Sequence, residues 1–317
     1  MQVRIYTDRD ALVWDDFCSK SPNSTFLHTR NFLSYHKNRF QDRSIILENE
    51  GQIIGLMPAA QHLLHKDIVV SHPGITYGGI VHVGALKGEA MIEALNLIKR
   101  FFYESGYQRL QYKAIPFIYH QSPLQDDLYA LQRLGATRYR CDLSSCIDLM
   151  SRMKVSDRRR RALKKALKSG MEIDSGINCA ADLWGVLTEN LRDKHGTNPT
   201  HTLDEIILLA QRFPEQIKFV IARNNGIAVA GVVLFCIGHV IHAQYIASNS
   251  LGQEFSALDM VFEKCISEAA DQDARYFDFG ISTEAEGRFL NEGLHRFKSE
   301  FGSGGVVHEF YEIELEG

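Results

Sequence analysis

The sequence predicts an α/β (α+β) protein of two similar domains, each a mixed and mostly antiparallel sheet flanked by helices. Three observations carry that expectation. The chain has 317 residues, enough for two separate cores. Its apolar residues alternate with period two in some runs and recur at helical spacing in others, and the two kinds of run are interleaved. Finally, the halves rhyme. Helix 88–105, strand 107–113, helix 124–134 and strand 136–143 have counterparts at 254–271, 275–279, 286–300 and 305–315. A hairpin turning on Gly51 or Gly226 precedes each set, as an internal repeat requires. The expected domains are 1–150 and 151–317, the second opening with a basic helix at 151–169.

In chain order, residues 3–6 read as a short strand and 8–17 as a first helix with Thr or Asp as its cap. Residues 26–40 form an aromatic-rich helical segment. Runs 43–47 and 52–57 alternate like strands and meet at Glu48-Asn49-Glu50-Gly51, a hairpin signal. A strand pair follows at 61–70, then the breaker-rich stretch 71–80. Ile92, Leu95, Ile98 and Phe102 keep helical spacing within 90–103. Strand 107–113, helix 124–134 and strand 137–143 complete the first half. Ser156-Asp157 caps a helix through 158–168 that Gly170 ends. Strand 171–175 and helices 180–195 and 203–213 lead to a hairpin, 217–222 with 227–237, turning on Asn224-Asn225-Gly226. Strand 240–246 follows, and Phe255, Leu258, Phe262, Cys265 and Ala269 mark a long helix. Tyr276 to Phe279 alternate as a strand that Gly280 breaks. Thr283 and Glu286 have capping-box spacing for a helix reaching Phe301, which Gly302 stops. Residues 305–315 close the chain as a strand.

Bulk composition excludes several classes. With 45% hydrophobic and 23% charged residues the chain is an ordinary globular protein. Its net charge of −4 and pI of about 6.4 argue against a polycation that coats nucleic acid. The acidic start MQVRIYTDRDALVWDDF is unlike a signal peptide. No run approaches the length of a membrane span. The six cysteines are scattered without a C-x-x-C pair, so no metal site or disulfide framework is expected. These features point to a reducing, cytoplasmic setting.

Several side chains are candidates for chemistry. On the last helix Arg288, Asn291, His295 and Lys298 line a polar side next to the apolar stripe Leu290, Leu294, Phe297 and Phe301. Asp278, alone among aromatics in its strand, could accept a proton from an attacking amine or cap the following turn. Ser282, Thr283 and Glu284 divide in the same way between chemistry and capping. In the basic helix Lys154, Arg158, Arg161, Lys165 and Lys168 share one face and Leu163, Ala166 and Leu167 another. That face is either a solvated surface or a site for phosphates of a nucleotide, CoA, tRNA or anionic lipid. His195 and His201 lie in a polar, breaker-rich loop that can touch substrate or simply join two helices. Tyr77-Gly78-Gly79 is either a close backbone approach to a ligand or a bulge.

The run Phe277-Asp278-Phe279-Gly280, a polar turn, and Leu294-x-x-Phe297-Lys298-x-x-Phe301-Gly302 resembles the close of the second domain in Fem-type peptidoglycan aminoacyltransferases. It is also similar to the wider Fem-like proteins of the GNAT (Gcn5-related N-acetyltransferase) superfamily. The resemblance implies two tandem GNAT-like domains and transfer of an acyl or aminoacyl group to an amine by direct attack. It implies an acyl-CoA such as acetyl-CoA, or an aminoacyl-tRNA, as donor, and a small molecule or cell-envelope precursor as acceptor. Peripheral contact with a membrane is compatible with it. Lys298 would lie beside the donor channel and bind phosphate, Arg158 and Arg161 would attract anions, and Asp278 or Glu284 would accept the proton. One departure stands out. Residues 248–257, SNSLGQEFSA, hold one glycine where an acetyl-CoA enzyme has a glycine-rich pyrophosphate loop, and Glu254 opposes an anion there. The other reading is therefore a non-catalytic GNAT-fold protein that binds a nucleotide-linked, cell-envelope or lipid ligand.

Overall fold

The computed structural model describes residues 1–315, and of Asp193, Lys194 and His195 the backbone alone. Close contacts divide the chain into two compact units. The first comprises Met1–Asp142, Thr283–Phe289 and the chain from Val307 on; the second comprises Leu143–Ser282 and Leu290–Val306.

In the first unit β1 (Gln2–Ile5), β2 (Ile45–Asn49), β3 (Gln52–Met57) and β6 (Val81–His82) form an antiparallel sheet in the order β1-β2-β3-β6. Between these strands lie α1 (Ala11–Lys20), α2 (Arg30–Leu33), β4 (Ala60–Gln61) and β5 (Ile68–Val70). The helix expected over 26–40 is broken. Single turns of 3-10 helix flank α2, and Lys37 takes a left-handed φ of 51°. Next come α3 (Glu89–Glu104), β7 (Arg109–Lys113), α4 (Asp126–Arg133) and β8 (Thr137–Asp148). Strand β7 pairs in parallel with β5. The apolar stripe of α3 (Met91, Leu95, Ile98 and Phe102) meets Ile45, Leu47, Val69 and Leu110 in one core. Tyr112 spans that core, donating its hydroxyl to Asp127 at 2.7 Å and accepting from the amide of Ile80 at 2.9 Å.

The second unit opens with α5 (Asp157–Lys168), capped by the Ser156 side chain on the amide of Arg159. It continues through β9 (Glu172–Ser175), α6 (Ala180–His195), α7 (Leu203–Arg212), β10 (Ile217–Asn224), β11 (Ile227–Ile237) and β12 (Val240–Ser248). Thr202 and Glu205 form a capping box at α7. Then follow α8 (Ser250–Glu254), α9 (Ala257–Asp271), β13 (Tyr276–Ile281) and α10 (Glu292–Ser299), whereas β14 (Thr283–Glu284), the first residue of β15 (Phe289–Leu290) and most of β16 (Gly304–Glu314) belong to the first unit. Residues 144–148 of β8 pair with β13, and the sheet runs on as β13-β12-β11-β10-β9. All neighbours are antiparallel except β12 and β13. Phe262 of α9 anchors the core with Phe277, Phe279 and Phe301. Among the described residues no helix is long and apolar enough to cross a membrane.

The last helix departs from its expected start. Thr283 and Glu286 form no capping box, because residues 283–290 make a small hairpin. Ala285 and Glu286 at its tip take left-handed φ angles of 47° and 58°. The helix begins at Glu292, and Asn291 is its cap, accepting from the amide of Leu294 at 3.0 Å. Arg288 therefore lies outside the polar stripe expected on that helix, while His295 and Lys298 remain on it.

Candidate active site

The site grows from the end of a parallel ladder. Strands β12 and β13 pair only at Val240↔Tyr276, Ile241↔Phe277 and His242↔Asp278, after which β12 continues to Ser248 without β13. Period two places His242 and Asp278 on one face, opposite Ile241 and Ala243, which belong to the core. Asp278 is wholly buried. Its carboxylate accepts from the Ser144 hydroxyl, from the amide of Gly280 at 3.1 Å, and from Nδ1–H of His242 at 2.8 Å. Such donors compensate a buried charge that would otherwise be costly. With Nδ1 donating to the carboxylate, the neutral ring of His242 keeps its lone pair on Nε2.

A bulge extends this face. Val233 opposes Tyr245 and Leu234 opposes Ala243, so Gln244 is the extra residue. His242 and Tyr245, three apart, consequently share a side of the sheet. Trp184 of α6 packs edge-on against Tyr245 at 5.3 Å, and the Tyr245 hydroxyl meets Nδ1 of His201. Burial pushes the phenol up to about 12.

Helix α10 supplies the cation. Phe297 and Phe301 turn into the core, and Lys298 is buried between them in sequence. Its ammonium donates to the carbonyls of Gly280 at 2.9 Å and Ile281 at 2.6 Å. Desolvation lowers it to about 8, partly opposed by the negative charge of Asp278. One turn earlier His295 Nδ1 lies 3.4 Å from the Ser145 hydroxyl.

The remaining sequence candidates fall elsewhere. Ser282 is buried, donating its amide to the Leu143 carbonyl, while its hydroxyl has no hydrogen-bond partner among the described residues. Asn291 is the helix cap already described. Glu284 is exposed on β14 in the first unit. Tyr77 is buried in the first unit, its ring 4.6 Å from that of Tyr119. The glycines after it serve the chain itself, since a Cβ on Gly78 would lie 1.9 Å from the Ser71 carbonyl oxygen. The side chain of His195 lies outside the described residues. Arg158 pairs with Glu300 at 2.8 Å, and Arg161 is exposed. Sequence reasoning passed over His242 and Ser144. The available signal was Asp278 itself, because a carboxylate in a buried aromatic strand needs a partner, and His242 is the histidine of the neighbouring apolar strand.

Residues 151–299 match the acetyltransferase (GNAT) domain model. The chain carries a GNAT domain in a Fem-like fold. Over its length it is similar to the crystal structure of FemX, at 13% identity and a TM-score of 0.68, with 99% of this chain and 98% of that one covered. It is likewise similar to the C-terminal domain of a putative lysylphosphatidylglycerol synthetase from Agrobacterium fabrum, at 11% identity and TM-score 0.61, covering 97% and 92%. A tandem GNAT protein from the clavulanic acid biosynthesis pathway aligns at 8% identity and TM-score 0.55, covering 100% and 99%. No curated protein sequence matches.

In this GNAT domain the segment before the long helix α9 is a folded turn rather than an open cradle. Helix α8 occupies it. The amide of Gly252 donates to the Asn249 side chain, that of Gln253 to the Asn249 carbonyl, and that of Phe255 to Leu251. Gly252 sits against Val229, whose carbonyl oxygen would be 2.3 Å from an added Cβ. These amides are already satisfied within the chain. At the start of α9, Asp259 pairs with Arg159 at 2.9 Å, so a carboxylate already stands in its first turn.

Proposed function

We propose that the chain transfers an acyl or aminoacyl group from an activated donor to an amine, with His242 as general base. The observation that carries this reading is the His242–Asp278 pair at the end of the β12–β13 ladder. The amine nitrogen attacks the donor carbonyl, forming a C–N bond, while its proton moves to Nε2 of His242. Collapse of the tetrahedral intermediate breaks the bond to the leaving group, a thiolate or a ribose oxygen, which takes that proton back. Asp278 is a positioning residue here. It fixes the tautomer of the imidazole and stabilises the imidazolium that forms. Lys298 braces the Gly280 and Ile281 carbonyls and adds positive potential beside the reacting carbonyl.

The folded turn at residues 249–256 favours a donor held through groups other than a CoA pyrophosphate. An aminoacyl-tRNA therefore stands ahead of acetyl-CoA as donor, and a small amine or a cell-envelope precursor is the acceptor. The test offers acetyl-CoA, longer acyl-CoAs and aminoacyl-tRNA with amine acceptors, and follows amide formation by mass spectrometry. His242→Gln is expected to lower kcat by about 10²–10⁴-fold with little change in KM. An unchanged kcat in that variant refutes the assignment. The same turn favours a second reading, a non-catalytic binding protein. Ligands that raise the melting temperature without any product under all donor conditions would establish it instead.

A further inference from the structure

We propose that the outer face of α5 docks the protein onto an anionic lipid bilayer, with Arg161, Lys164 and Lys168 on the headgroups and Leu167 at the border of the contact. The helix DRRRRALKKALK holds seven cations and one carboxylate, in a chain whose net charge is −4. Its cations divide into two sets. Arg159 is taken up by Asp259 and Glu300, Arg158 by Glu300, Lys165 by the Glu254 carbonyl and Arg160 by Asp157. The first three tie the helix to its own unit, and the Arg160 pair lies within the helix. Arg161, Lys164 and Lys168 step by three and four along one exposed line, and no described carboxylate pairs with any of them.

The apolar residues of α5 divide similarly. Ala166 is fully buried and Leu163 half-buried, but Leu167, which the sequence groups with them on one face, is 64% exposed. The segment leading into the helix leaves Met150 at 76% and Met153 at 53% exposure. Flexible aliphatic side chains beside a row of unpaired cations match the interface between headgroups and acyl chains. RNA would meet the same charges. However, residues 150–171 contain no aromatic side chain on which a base could stack, so the lipid surface is the better match.

The test uses the full chain and vesicles of pure phosphatidylcholine or of phosphatidylcholine with about a third phosphatidylglycerol, in about 0.1 M salt, read by co-sedimentation. Wild type is expected to sediment with the anionic vesicles alone. Each cation near such a surface contributes roughly fivefold to partitioning, so the triple variant Arg161→Gln/Lys164→Gln/Lys168→Gln should lose on the order of a hundredfold. Leu167→Ser should weaken binding further while keeping the preference for anionic lipid. Because all four positions are exposed, melting curves should be unchanged, which separates lost docking from lost folding. Equal sedimentation with neutral vesicles, or a triple variant that binds like wild type, overturns the proposal. So does binding to bulk tRNA, measured by fluorescence anisotropy, that is tighter than binding to the anionic vesicles and is lost in the triple variant.

Discussion

Lys298→Met asks whether an ammonium can sit in this interior on two carbonyls alone. The buried group has its pKa lowered from 10.5 to about 8, so the native state sheds its proton earlier than the unfolded chain does. Between those values the unfolded state binds more protons, and stability must therefore rise with pH. From pH 7 to pH 10 the linkage integrates to about 2 kcal/mol in favour of the wild type. Methionine has similar length and no titration, so the variant should lack this gain, while losing a pH-independent amount from two unpaired carbonyls. Urea unfolding at pH 7, 8, 9 and 10 separates the two effects. The constant loss appears at every pH, and the difference between wild type and variant should widen steadily above pH 8. Parallel curves would refute the burial argument and mean that Lys298 reaches water.

Two further substitutions probe the frame around the site. Asp278→Asn keeps the volume but replaces an acceptor with an amide. It should lower kcat by at least about a hundredfold with little change in KM, as the imidazole loses the acceptor that fixes its tautomer; an unchanged kcat would remove Asp278 from its positioning role. Gly78→Ala places a methyl group against the Ser71 carbonyl oxygen, 1.9 Å away before relaxation. It should destabilise the first unit by about 1–3 kcal/mol or more, and a wild-type urea midpoint for that unit would show that the loop gives way freely.

Local pattern made most of the fold legible, while long-range pairing hid half of the site. The hairpin through Asn224-Asn225-Gly226, the helices α3, α7 and α9 and the aromatic strand β13 follow from spacing and turn residues that act over a few positions. The extent of α10 does not. Thr283 and Glu286 have the letters of a capping box, but Ala285 and Glu286 turn left-handed in a hairpin, and nothing in their immediate sequence demands that conformation. Asp278 and Lys298 could be singled out because a charge in an apolar stripe is conspicuous. His242 is legible only through Asp278, since it gains meaning only when β12 and β13 lie in parallel and bring two residues 36 positions apart to 2.8 Å. The anion-binding expectation for the basic helix was too uniform. Three of its seven cations hold the helix to its own unit, which only the positions of Asp259, Glu300 and Glu254 reveal.

The extra residue in β12 has a consequence for how this strand tolerates change. Up to Ala243 its even-numbered residues look towards α6, and beyond Gln244 its odd-numbered residues do, so the strand is written in two frames joined at one position. Deleting Gln244 would restore a single frame. Tyr245 would then follow Ala243 directly and still face α6 with Trp184 and His201, while Ile246 would still face α9. The bulge, rather than the count of residues, therefore holds the wall of the site: drawing residue 244 into regular pairing would turn Tyr245 towards α9 without touching any of the groups proposed to do the chemistry.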